Sequence, residues 1–237
     1  MTTSKLEVSE SSCDISRFHH TPFYCEENVY LLCKELCKKG IADAQGSDLF
    51  VVFISNDKKQ ACIFCSHVTQ LAIPLWRQKA SNRADGVVLW DYHVICVQKK
   101  GSGDTPATHL VWDLDSSLAF PCPLATYVLE TFCPSFQTFS ELRRCFRIVH
   151  APIFLRFFAS DRRHMKDSNG NWLRQPPLYQ PIVAQDGTVH NLDGYFQIHA
   201  TDAVTGTGVD VTNAVFTEKL GVVVTENQLE EFFSQIP

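Results

Sequence analysis

Three kinds of side chain that can together open an amide bond occur at suggestive places in this sequence: a thiol, an imidazole and a carboxyl. The thiol is Cys25, in the string Tyr24-Cys25-Glu26-Glu27-Asn28. Val29, Leu32, Cys33 and Leu36 follow it at helical spacing, with Lys38 and Lys39 at the far end and Gly40 as a stop. Cys25 therefore stands at a helix N-terminus. Partial positive charge and free N–H groups there favour thiolate over thiol, and the same groups could hold an oxyanion. Glu26 and Glu27 suit the first turn of a helix, but they oppose a thiolate unless they point outward.

The imidazole is His93, inside Gly86–Gln98, a stretch rich in β-branched and aromatic residues that predicts one long strand. Alternation places Leu89, Asp91, His93 and Ile95 on one face and Trp90, Tyr92 and Val94 on the other. The segment 99–107 holds two glycines and a proline and reads as a loop, and Thr108–Asp115 reads as the return strand. A register with 98 opposite 108 sets 93 opposite 113, with Cβ atoms about 5 Å apart. An aspartate there could fix the imidazole tautomer and support its charged form. Asp115 shares that face, so spacing alone leaves Asp113 and Asp115 both open.

Two other groupings contain reactive residues. Cys62, Cys65 and His67 resemble half of a metal or redox site, but no second ligand pair stands at suitable spacing, so no metal is expected. Asp161 to Asp167 is a charged stretch within a long polar segment, 160–181, that reads as a loop able to line a site.

The remaining elements provide the scaffold. Leu49–Ser55 reads as a buried strand, Cys145–His150 as another, and 121–133, 138–144 and 152–159 as helices. Thr225 and Gln228 form a capping-box pattern for a terminal helix ending near Phe233. Residues 1–20 read as a flexible N-terminal arm and 21–237 as a single α+β domain.

Composition narrows the class. The chain has 237 residues, 45% hydrophobic and 20% charged, which is enough to bury a core without staples. Its net charge of −5 and lack of a basic block argue against a nucleic-acid partner. No apolar run is long enough to span a membrane and the start resembles neither a secretory nor an organelle signal, so the cytosol or nucleus is the expected location. The ten cysteines are then expected as thiols.

At Trp90-Asp91-Tyr92-His93-Val94 the sequence resembles the WDYHV-motif family of protein N-terminal glutamine amidohydrolases, close to its plant members. Tyr24-Cys25-Glu26-Glu27-Asn28, Val52 to Asn56, Trp112 to Asp115, Phe158 to Arg162, His164 to Lys166 and Gly170 to Trp172 are similar to further family segments. The likeness covers roughly residues 21 to 183. One departure is about a dozen extra residues near Ala61 to Ala72, before Ile73-Pro74-Leu75-Trp76.

The resemblance implies Cys25 as nucleophile, His93 as base and Asp113, the first Asp of its string, as the acid. It implies a papain-like or transglutaminase-like fold, with a Cys-bearing helix packed on a mainly antiparallel sheet, acting without cofactor. The substrates would be proteins or peptides with a free N-terminal Gln, converted to Glu and feeding arginylation and degradation, and the enzyme would be a monomer. Asp91 and Asp161 are candidates for holding the substrate's free amine. The same three residues could instead serve a thiol protease or acyl transferase, and a noncatalytic N-terminal-recognition module is the alternative from another class.

Overall fold

A computed structural model describes residues 13–56, 72–101, 107–132, 143–204, 206 and 208–237. The extra segment from Ala61 on, with Cys62, Cys65 and His67, lies outside them apart from Ala72, as does most of the helix expected over 138–144.

The fold is α+β. Six strands form an antiparallel sheet in the order β6-β5-β4-β1-β7-β8: β1 Leu49–Asn56, β4 His93–Lys100, β5 Thr108–Trp112, β6 Cys122–Pro123, β7 Arg144–His150 and β8 Val222–Thr225. β1 lies at its centre and is buried along its whole length. Leu49, Val51 and Phe53 join one apolar cluster and Phe50, Val52 and Ile54 the other, so its alternation divides the core into two layers. The first layer packs α1 (Cys25–Lys38), α3 (Ala151–Phe157) and α4 (Leu192–Phe196) on the sheet. The second uses α2 (Leu124–Tyr127), α5 (Val209–Ala214) and α6 (Leu229–Gln235).

α1 forms where its periodicity predicts, burying Val29, Leu32, Cys33 and Leu36 and stopping before Gly40, whose φ is +67°. The terminal capping box is also present, between Thr225 and Gln228, and α6 follows it to Gln235. The segment 152–159 is helical as α3.

Several expectations are corrected. The strand read over 86–98 is two strands, β3 (Val88–Trp90) and β4, with Asp91 exposed between them. β3 leaves the main sheet to pair with β2 (Ile73–Leu75), held in part by Trp90 Nε1 donating to Gln78 Oε1 at 3.2 Å. Only from His93 onward does the chain pair with β1. The β4–β5 register sets Gln98 opposite Leu110, two residues from the expected pairing. The helix expected over 121–133 opens as β6 and one α-turn, then continues as a π-turn over Val128–Phe132. Of the arm expected over 1–20, residues 13–20 lie against the body: Phe18 is buried against Trp112 and Phe120, and the Cys13 N–H donates to the Phe120 carbonyl.

Two buried arginines on β7 tie the layers together. Arg147 donates to the carbonyls of Tyr195, Leu220 and Gln197, and Arg144 to those of Pro74 and Phe132. Beside Arg147 the chain enters β8 through Gly221, at φ +60°, where an added Cβ would lie 1.9 Å from the Ile148 carbonyl oxygen. That contact is with backbone and cannot relax cheaply. Gly221→Ala is expected to cost at least about 2–4 kcal/mol, read as a lower midpoint in urea unfolding with an unchanged slope.

Candidate active site

Cys25 is the first residue of α1, and Tyr24 before it makes no side-chain cap bond. Phe23, one residue earlier, has φ +72°, an unfavourable left-handed conformation for a bulky side chain. The sulfur of Cys25 lies beside the backbone N–H of Val94, the residue after His93. The N-terminal end of α1 thus meets the sheet where β4 begins.

His93 is wholly buried, stacked on Trp90 with ring centroids 5.1 Å apart. Its Nε2 is 3.1 Å from Asp113 Oδ1. A carboxylate only accepts, so Nε2 carries the proton and a neutral His93 has its lone pair on Nδ1. That Nδ1 is buried and, among the described residues, has no hydrogen-bond partner. β5 ends at Trp112, so Asp113 stands just past the strand and meets His93 despite the shifted register.

Asp113 is itself held from three sides. Oδ1 also accepts the Asp115 backbone N–H at 2.9 Å, and Oδ2 accepts the Tyr127 hydroxyl at 2.7 Å. Burial works against its charge, but His93, Tyr127 and this N–H outweigh it and hold the carboxyl below its ordinary range. Burial likewise works against a charged His93, and Asp113 outweighs that too, leaving the imidazole more basic than usual. Asp115 is turned to another partner, His20 Nε2 at 2.8 Å. Single donor atoms of His93, Asp113 and Asp115 lie within 4.8 Å of one another, a spacing a cation could bridge. Both oxygens of Asp113 and one of Asp115 already accept hydrogen bonds.

The expectation that the helix end favours a thiolate at Cys25 is corrected. Burial pushes this thiol well above its ordinary value, and the charges of Glu26, Asp115 and Asp113 add to the effect. Glu26 and Glu27 point inward and are buried. Glu26 Oε2 accepts the Tyr92 hydroxyl at 2.9 Å and lies 3.7 Å from Cys25 Sγ. Burial raises the Glu26 carboxyl to about 7. Glu27 takes a bidentate pair from Arg162, Nε at 2.8 Å and Nη2 at 2.7 Å. Arg162 also donates to the Pro177 and Tyr179 carbonyls, which ties the 160–181 loop onto the helix end.

Asp91 and Asp161 are placed differently from each other. Asp91 is exposed at the break between β3 and β4. Asp161 is buried, and both its oxygens accept from Arg163, with His190 Nδ1 3.7 Å away. Sequence reasoning missed Tyr127, Tyr92 and Arg162. Tyr92 lies beside His93, so a partner for its hydroxyl could have been sought. Nothing in the spacing points to Tyr127 or Arg162.

The N-terminal glutamine amidase family matches residues 20–233. The chain is 58% identical to the protein N-terminal glutamine amidohydrolase of Arabidopsis thaliana over 94% of this chain and 95% of that one. It is 50% identical to the protein of the same name from Oryza sativa subsp. indica, over 94% and 90%. The human protein of that name is 36% identical over 84% and 85%.

Two outcomes follow from the buried carboxyls. Arg162→Met strands a buried Glu27 charge and is expected to cost about 3–5 kcal/mol, with Glu27→Gln in the same chain recovering much of it in denaturant titration. Glu26, raised from 4.5 to about 7, holds a proton in the folded chain that it loses when unfolded. Its contribution to stability is therefore complete below pH 4.5 and lost as pH rises through 7. Thermal melts should show Glu26→Gln gaining on the unsubstituted chain across that window.

Proposed function

The chain belongs to the N-terminal glutamine amidase family, and from that premise we propose that it converts the N-terminal Gln of protein or peptide substrates to Glu, as a cysteine-dependent amidohydrolase using Cys25, His93 and Asp113. The observation that carries the site assignment is the state of His93. One nitrogen is held by an ionised Asp113, and the other is buried at the strand end that adjoins Cys25, with no partner among the described residues. This is the arrangement a general base needs before it takes a thiol proton.

The steps follow from those roles. His93 Nδ1 takes the proton of Cys25 as the sulfur attacks the side-chain carboxamide carbon, and Asp113 supports the imidazolium that forms. The first-turn N–H groups of α1, that of Cys25 among them, stabilise the oxyanion. His93 then gives the proton to the amide nitrogen, the C–N bond breaks, ammonia leaves and a thioester remains. Water deprotonated by His93 attacks the thioester, the C–S bond breaks, and Glu departs as the thiol is restored. A helix bearing the nucleophile, packed against an antiparallel sheet bearing base and acid, supports a papain-like or transglutaminase-like fold, with residues 21–237 as one catalytic domain.

Among the described residues no helix is long and apolar enough to cross a membrane. A monomer acting in the cytosol or nucleus, in the arginylation branch of protein degradation, completes the proposal.

Mass spectrometry of a free Gln-starting peptide, its acetylated copy and an internal-Gln control tests the reaction, with conversion of the free peptide alone to its Glu form expected. Cys25→Ala should lower turnover at least about 10³-fold and Asp113→Asn roughly 10²- to 10⁴-fold. Retained turnover in Cys25→Ala would remove the nucleophile assignment. Binding without ammonia release would favour a recognition module, and peptide-bond cleavage a protease. If no peptide reacts, deletion of 61–72 shows whether that segment closes the site.

A further inference from the structure

The pairing of Glu26 with Cys25 is chemically costly. A nucleophilic thiol gains from nearby positive charge, yet the carboxyl oxygen of Glu26 lies 3.7 Å from its sulfur and opposes the thiolate. The fold does not turn this side chain away, although the first turn of a helix ordinarily offers solvent to a glutamate. It buries Glu26 and fixes the same oxygen with the Tyr92 hydroxyl at 2.9 Å. Tyr92 is in turn buried and stacked on Phe196, with ring centroids 4.7 Å apart. A carboxyl held this firmly against a nucleophile invites a cation as its partner.

Resting on the reading of the chain as an N-terminal glutamine amidohydrolase, we propose that Glu26 is the specificity-determining residue that accepts the free α-ammonium of the substrate. Four bonds separate the side-chain carbonyl carbon of a glutamine from its own α-nitrogen, a reach of about 5 Å at most. With that carbon bonded to Cys25 Sγ, the nitrogen must find its counter-charge close to the sulfur. Glu26 Oε2 is in contact with Sγ. Asp161 is saturated by Arg163, Glu27 by Arg162, and Asp113 by His93, Tyr127 and a backbone N–H. Asp91 lies out in solvent, where a charge pair discriminates little.

The same contact couples recognition to reactivity. In the ligand-free chain burial keeps the Glu26 carboxyl near the middle of its titration at neutral pH, its pKa being about 7. An ammonium seated on it holds it ionised and cancels the field it exerts on the sulfur, so the penalty on the thiolate falls when a free amino terminus is present. An acetylated or internal glutamine brings no such charge and meets a less reactive thiol.

Binding distinguishes this from the underlying reaction. The free Gln-starting peptide and its acetylated copy are titrated calorimetrically into Cys25→Ala and into Cys25→Ala/Glu26→Gln. In Cys25→Ala the free peptide is expected to bind about 10- to 100-fold more tightly than the acetylated one, as a hydrogen bond between charged groups provides. In the double variant the preference should shrink to within about threefold. A preference that survives Glu26→Gln, or that is absent from Cys25→Ala itself, overturns the assignment. Tyr92→Phe in the Cys25→Ala chain keeps the carboxylate and should keep the preference; its loss there would show a collapsed pocket rather than a missing charge, and would also overturn it. Ammonia release by the unsubstituted chain reports separately on the amidohydrolase reading, so a chain that binds selectively without turnover fails that reading alone.

Discussion

Two acidic side chains enter the protein interior at the first turn of α1, and much of the surrounding structure compensates for them. Glu27 is fully buried, and an isolated carboxylate there would cost several kcal/mol. The bidentate pair with Arg162 offsets that cost, and it brings a loop with it: Arg162 also binds the Pro177 and Tyr179 carbonyls and lies over the rings of Tyr24 and Tyr179. Tyr24 in turn reaches the Arg174 carbonyl at 3.3 Å, and the Arg174 guanidinium lies over Phe23. Residues about 150 positions apart are thereby fixed around the one end of the one helix that carries Cys25. The long loop 160–181 needs little regular structure because the Arg162 ion pair with its hydrogen bonds, the Arg174 contacts and the Ser160–Ile182 hydrogen bonds anchor it.

His93 and Asp113 are positioned by a different device, the ends of strands. β4 begins at His93 because the chain before it has been drawn off to pair with β2, and β5 stops one residue before Asp113. Side chains at strand ends are released from the strict alternation of the ladder, which lets the two meet although the ladder, if continued, would set 93 opposite 115. Tyr127, at the junction of an α-turn and a π-turn, closes the network from the second layer of the core. The irregular stretches are therefore those that aim the polar groups, and the regular ones supply the rigidity behind them.

This division explains what could be read from the residues in advance. α1, the buried β1, β7 and the capping box before α6 follow from periodicity and local capping, which are properties of neighbours in sequence. The break at Asp91 is not legible, because one aspartate in the otherwise β-prone stretch Val88 to Val97 does not by itself end a strand, and the competing partner β2 divides it. The register of the β4–β5 hairpin differs by two residues from that expected, since a loop of that length fixes no pairing. His93 and Asp113 are nonetheless legible as a candidate pair, and motif resemblance rather than spacing separates Asp113 from Asp115. Arg162 and Tyr127 could not be foreseen, because partnerships across so many residues leave no periodic trace.

The electrostatics of the resting site also bear on how chemistry would begin. A helix N-terminus is commonly taken to acidify a cysteine, but here desolvation and three nearby carboxyls act on Cys25 in the opposite direction and prevail. Under the proposed mechanism His93, made more basic by Asp113, reverses this by taking the proton as the sulfur attacks. Alkylation and oxidation track thiolate content and exposure, so a buried thiol whose pKa is raised is expected to react slowly with such reagents. Its reactivity then depends on what a substrate brings into the site. The burial that suppresses the free nucleophile also strengthens every charge–charge contact made there, so an arriving ammonium acts on Cys25 with a force that water would screen away.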